Sequence, residues 1–262
     1  MAYLPLRALL RSTAHPDYYS HIVLIPVISG LFFFWNKKEI LSGSAHLFPL
    51  GLLAMAGGLA LFFWGRGRWI GPDDAASIAT FAALVFWGGA FLFTFGPASF
   101  RKTVFPLAFL LFAVPLPSAV MEKIITVLVT TSVTITGLLF RIVGVHFTRE
   151  GTVFHLAGFS IEVARECSGI RSSLSLLVVA VLAGHLFLRK FWKKTLLAFA
   201  ALPIAVFKNG LRIVSIYLLS YYIDMRFIEG DFHHKFAGSV FFVVGLLMLG
   251  LVLRWLRKSE QE

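Results

Sequence analysis

The sequence predicts an all-α fold, a polytopic membrane helical bundle of about eight transmembrane helices with a short amphipathic hairpin before a single cysteine. Three observations carry that expectation. Hydrophobic residues make up 58% of the 262 and the mean hydropathy is +0.83, more apolar side chain than a soluble core of this length encloses. Charged residues are 14%, against about a quarter in soluble domains. Apolar runs near the length that lipid demands, about 20 residues, recur from one end of the chain to the other. The chain reads as one transmembrane domain, 1–262, whose chemistry-bearing motifs fall within 145–242.

Eight runs are the expected spans: 21–35, 46–64, 75–95, 103–117, 120–143, 170–188, 195–222 and 236–255. Residues 1–20 contain Arg7, Arg11 and Pro16, and no small-residue cleavage site follows a short apolar core. The first run is therefore expected to stay as an anchor. Asp73 and Asp74 follow Pro72 and are expected to cap the third helix. The fifth run carries Thr126, Thr130, Thr131, Thr134 and Thr136, whose hydroxyls can bond back to their own helix or across to a neighbour. Pro97, Pro106, Pro115, Pro117 and Pro203 end or kink helices, which a bundle tolerates where neighbours satisfy the freed carbonyls. Residues 145–166 alternate loosely around glycines and predict a short hairpin lying at the membrane interface.

The net charge of +11 is distributed as membrane loops distribute it. Basic residues cluster between apolar runs: Arg66/Arg68, Arg101/Lys102, Arg189/Lys190/Lys193/Lys194 and Arg254/Arg257/Lys258. This pattern meets lipid headgroups and sets orientation, so membrane lipid rather than nucleic acid is the expected partner. Placing the two densest clusters, 189–194 and 254–258, in the cytoplasm puts the start of the sixth helix, the end of the seventh and the start of the eighth on the outer face. A multi-pass protein of the cell membrane with its chemistry outside is the expectation.

Cys167 stands in Arg-Glu-Cys-Ser-Gly-Ile-Arg, just before the sixth helix. A lone cysteine is commonly a small buried hydrophobe. Here the helix N-terminus favours a thiolate, and Arg165 and Arg171 flank it. Arg212, in Lys-Asn-Gly-Leu-Arg, lies inside the seventh helix about 25 Å from its start, where a guanidinium is costly unless it has a partner or a task. Lys208 is one turn deeper, Asn209 adjoins it, and Gly210 permits close backbone approach. His233 and His234 open the eighth helix. By topology the thiol, the guanidinium and an imidazole share one membrane face, and together they make a complete set for acyl transfer. Neither His-Glu-x-x-His, Cys-x-x-Cys, Gly-x-Ser-x-Gly nor a Walker-type loop occurs, so no metal or other cofactor is called for.

At these residues the chain resembles the exosortase/archaeosortase family of membrane cysteine transpeptidases. Cys167-Ser168-Gly169-Ile170-Arg171, Asn209-Gly210-Leu211-Arg212-Ile213 and His234 four residues before Gly238 occur in the family's order, each at a helix end. The resemblance covers about 145–242, and the first four helices fit by hydrophobicity and number alone. Glu166 departs from the small residue usual before the family's cysteine, which touches substrate preference more than mechanism. The resemblance implies a catalytic Cys167, Arg212 and His234, with Ser168, Gly169, Arg171, Asn209 and His233 supporting or binding substrate. It implies substrates that are secreted proteins ending in a short motif, a hydrophobic helix and a basic tail. Two readings from other classes stand beside it. One is an anion or small-solute transporter with Arg212, Lys208 and His234 lining the path. The other is a non-enzymatic assembly partner.

Overall fold

A computed structural model of the chain describes residues 24–41, 49–66, 71–164, 169–225 and 237–261. The polypeptide packs as two compact units, Met1–Met121 and Glu122–Glu262, and the motif region lies wholly in the second. Among the described residues, six helices are long and apolar enough to cross a membrane. The protein is thus a polytopic helical membrane protein, and six membrane-length helices stand among the described residues where eight spans were expected.

Two local causes account for the difference. The first predicted span is described as α1, Leu24–Trp35, followed by the short α2, Lys37–Leu41. Twelve residues rise about 18 Å, well short of a hydrocarbon core of roughly 30 Å. The third and fourth predicted spans fall within one element, α4 (Pro72–Phe109), which continues into a 3-10 turn at Leu110–Ala113. The break between them is Gly96, held at φ 73° and ψ 176° and followed by Pro97. The chain bends at Gly96-Pro97 instead of looping, and the polar residues that separate the two runs, Ser99, Arg101 and Lys102, ride on helix beyond the bend.

In the first unit, α3 (Pro49–Arg66) lies along α4. Gly51, Gly58 and Gly65, seven residues apart, are its buried positions. A Cβ at Gly58 would stand 2.7 Å from the Phe86 nitrogen, so the two backbones touch directly. Small-residue stripes serve this purpose in lipid, where apolar side chains gain nothing by leaving the tails. The Phe32 ring meets Phe105 edge-on at 5.4 Å, and Ser99 Oγ donates to the Ile40 carbonyl at 3.0 Å. Asp74 does not cap its own helix. Its carboxylate accepts from Ser118 N at 2.6 Å and Ser118 Oγ at 2.8 Å, and so binds the start of the next helix, α5 (Ser118–Val143). Pro72 already occupies the first helical position, where a missing N–H reduces the demand for a cap.

The second unit holds the rest of α5, three strands and three helices: α6 (Ile170–Phe187), α7 (Phe191–Tyr222) and α8 (Ala237–Gln261). Thr126, Thr131 and Thr134 bond back to carbonyls four residues earlier, one of the two options open to that threonine run. The hairpin expected within 145–166 is present, with a third strand added to the two expected. Strands β1 (Phe147–Glu150), β2 (Val153–Leu156) and β3 (Ser160–Glu162) form an antiparallel sheet in sequence order. Phe154 and Val163 are buried with Phe140 of α5 and Ile213, Val214 and Tyr217 of α7. Phe140 lies edge-on to Phe154 at 5.5 Å and to Tyr217 at 5.4 Å. The sheet therefore rests on the last turns of α5 and the C-terminal third of α7.

Helices α6, α7 and α8 close a second core around Leu176, Ala180, Leu197, Ala201, Leu249 and Leu256. Of the apolar window of α7, 56% is buried, against 33% for α6 and 17% for α8, so α7 is the most buried of these three helices. One end of this trio is clasped by polar groups. Glu260 accepts from the backbone nitrogens of Arg189 and Lys190, each at 3.0 Å. Lys193 Nζ donates to Ser259 Oγ at 2.7 Å and to the Leu256 carbonyl at 3.2 Å. The two densest basic clusters thus share this end. It follows that the N-termini of α6 and α8 and the C-terminal part of α7 share the other.

Candidate functional site

The far end of the trio begins at Gly169, which precedes α6 with φ 67° and ψ 18°. That left-handed conformation costs a residue with a Cβ roughly 1–2 kcal/mol. Gly169 also lies against α7: a Cβ there would stand 3.1 Å from Asn209 Oδ1 and 3.6 Å from Ser172 Oγ. Its carbonyl accepts from Ser172 Oγ at 2.9 Å, Ser173 Oγ at 2.8 Å and Ser173 N at 2.8 Å. Gly169→Ala is accordingly expected to lower the midpoint of thermal unfolding in detergent by several degrees. An unchanged midpoint would show that neither the backbone angle nor the Asn209 contact constrains this turn.

On the facing helix, Lys208, Asn209 and Gly210 are all buried, Lys208 with only 3% of its surface exposed. Asn209 Nδ2 donates to Ser132 Oγ of α5 at 3.1 Å. Lys208 Nζ donates to Ser172 Oγ of α6. The close approach expected at Gly210 is real, since a Cβ there would come within 2.9 Å of Ile135 Cγ2 on α5. At the depth of Lys208, α8 contributes Gly245, whose missing side chain makes room for the lysine stem: a Cβ would meet Lys208 Cδ at 3.0 Å and Leu176 Cδ2 at 3.7 Å. Four helices thus contribute to one small polar layer inside an apolar bundle.

Arg212 is half-buried, one turn beyond Lys208 on the same face of α7. It lies nineteen residues past Lys193, or about 28 Å at 1.5 Å per residue. A hydrocarbon core is about 30 Å thick, so a helix with Lys193 at one boundary carries Arg212 to the opposite one. Helix α7 runs ten residues further, to Tyr222. Arg171, by contrast, is exposed on the first turn of α6.

Of the residues singled out from sequence, Gly169 and Asn209 come together, Arg212 lies on the same helix end as Asn209, and Arg171 faces outward. Cys167, Ser168, His233 and His234 lie outside the described residues. Two participants were missed. Ser172 gave no signal beyond its position three residues after Gly169, and Ser132 gave none, because its partner is 77 residues away.

No curated protein and no solved structure gives a match to the chain. The family model described as transmembrane exosortase matches residues 13–251, which extends the likeness from the motif region to the first helices as well. With the six membrane-length helices and a match over nearly the whole chain, the chain belongs to the transmembrane exosortase family.

Proposed function

We propose that this protein is a membrane-embedded cysteine transpeptidase that cleaves C-terminal sorting signals from secreted proteins through Cys167, Arg212 and His234. The observation that carries the reading is Arg212. It is a half-buried guanidinium on the most buried helix of the trio, at the end where Gly169 begins α6 and Ala237 begins α8. Cys167 precedes Gly169 by two residues and His234 precedes Ala237 by three.

In this reading the Cys167 thiolate attacks the scissile carbonyl and forms a C–S bond, and the carbonyl electron pair moves onto oxygen. Arg212 holds that oxyanion. Collapse of the tetrahedral centre breaks the C–N bond while protonated His234 gives its proton to the leaving amine. The neutral imidazole then takes a proton from water or from an acceptor amine as it attacks the thioester, which restores the thiolate. The substrate's hydrophobic helix lies beside the bundle in lipid and its basic tail stays in the cytoplasm. The reaction occurs at the outer face of the cell membrane, because the basic clusters at 189–194 and 254–258 mark the inner one. The transport reading draws no support from Lys208, which is enclosed against Gly245 and bonded to Ser172.

Thiol labelling tests the reading directly, since Cys167 is the chain's one cysteine. A nucleophile at a helix N-terminus is expected to react with a maleimide at a pH well below that of an ordinary thiol, about 8.5. Labelling that rises only through that ordinary range would count against the transpeptidase and for a packing role.

A further inference from the structure

A lysine buried to 3% exposure within a membrane-spanning helix is costly, and the acyl-transfer chemistry above gives it nothing to do. Its surroundings supply a task. The ammonium donates to Ser172 Oγ, which leaves that hydroxyl's own proton to bond the Gly169 carbonyl at 2.9 Å. The next residue on the same helix, Asn209, lies with Oδ1 against Gly169 and is held from behind by Ser132 at 3.1 Å. Gly245 leaves the space through which the lysine stem passes. Two consecutive residues of α7 therefore meet one left-handed turn, Lys208 through its bond to Ser172 and Asn209 by packing beside Gly169.

We propose that Lys208 is a positioning residue: acting through Ser172, it fixes the Gly169 turn and so sets the register of the segment that carries Cys167 into α6. This deepens the proposed function and rests on it for its catalytic meaning, but the turn itself can be followed separately. An uncharged residue at 208 would leave the Ser172 hydroxyl free to turn away, and the Gly169 carbonyl would keep only the Ser173 donors.

The test uses the full-length protein in lipid nanodiscs, with two readouts: the rate at which Cys167 is alkylated by a maleimide, and single-turnover cleavage of a substrate bearing a sorting signal. Ser172→Ala and Lys208→Met, the second keeping the stem that packs on Gly245, are each expected to slow cleavage about tenfold to a hundredfold, the scale of a misplacement near 1 Å. Both should leave KM nearly unchanged. Ser172→Thr, which keeps the hydroxyl, should restore most of the rate. The double variant should be no slower than Lys208→Met alone, because both act through one contact. Alkylation should fall in the same order.

The proposal is overturned if Ser172→Ala behaves as the parent protein, or if the two losses multiply. Should Lys208→Met fail to insert, Ser172→Ala and its rescue by threonine decide the matter alone. If Cys167→Ala still cleaves substrate, the transpeptidase reading fails. The alkylation series would still report whether Lys208 and Ser172 hold the turn.

Discussion

Cys167→Ala is expected to abolish substrate cleavage, by a factor on the order of 10⁴ or more, while the protein remains in the membrane at parental levels. A loss of this size is expected because no other residue in the set can form the C–S bond of the covalent intermediate. Cys167→Ser should be nearly as inactive. Its oxygen has about the same reach, but an alcohol stays protonated at neutral pH and is a far weaker nucleophile than a thiolate. The measurement is release of the C-terminal fragment from a membrane-anchored reporter, paired with extraction of the variant by detergent but not by carbonate. Residual cleavage within tenfold of the parent would end the proposal that the thiol attacks the peptide.

Arg212→Ala is expected to reduce single-turnover cleavage by about 10²–10³-fold, the cost of removing one oxyanion donor from a water-poor site. Arg212→Lys should recover only part of that loss. A lysine keeps the charge but not the planar fork that can present two N–H groups to one oxygen. The comparison also separates chemistry from stability. Arg212 is half-buried at the end of the bundle and not in its core, so the alanine variant is expected to insert and to unfold near the parent's midpoint. A loss of activity without a loss of stability is thus the expected signature. If Arg212→Ala instead unfolds the protein and Arg212→Lys fully restores both fold and cleavage, the residue is a structural cation and the oxyanion role falls.

Much of the second unit was legible in the chain because lipid allows few solutions. The sixth and seventh spans were expected at 170–188 and 195–222, and the helices run Ile170–Phe187 and Phe191–Tyr222. Their ends are marked by abrupt changes from apolar to charged residues, and backbone groups in hydrocarbon must be satisfied within the helix. The third and fourth spans were harder to separate. A Gly-Pro pair can close a loop or bend a helix, and composition alone does not distinguish the two outcomes. The hairpin between 145 and 166 was visible as alternation around glycines, but the third strand was not. Its pairing depends on Gly158 turning the chain back with φ 98°, an angle the sequence permits without requiring.

The chain by itself determined that this is a multi-pass membrane protein, roughly where its helices run, and which residue types are too polar for lipid to hold without a reason. These follow from local composition, because the cost of a charge or an open backbone group in hydrocarbon is paid residue by residue. Tertiary structure alone decided that Lys208 reaches Ser172 across 36 residues, that Asn209 packs beside Gly169 and donates to Ser132, and that Arg171 faces outward. Such contacts depend on the rotation and depth of each helix against its neighbours. Those are fixed by the fit of whole surfaces, here Gly210 against Ile135 and Gly245 against a lysine stem, and no short stretch of sequence contains them.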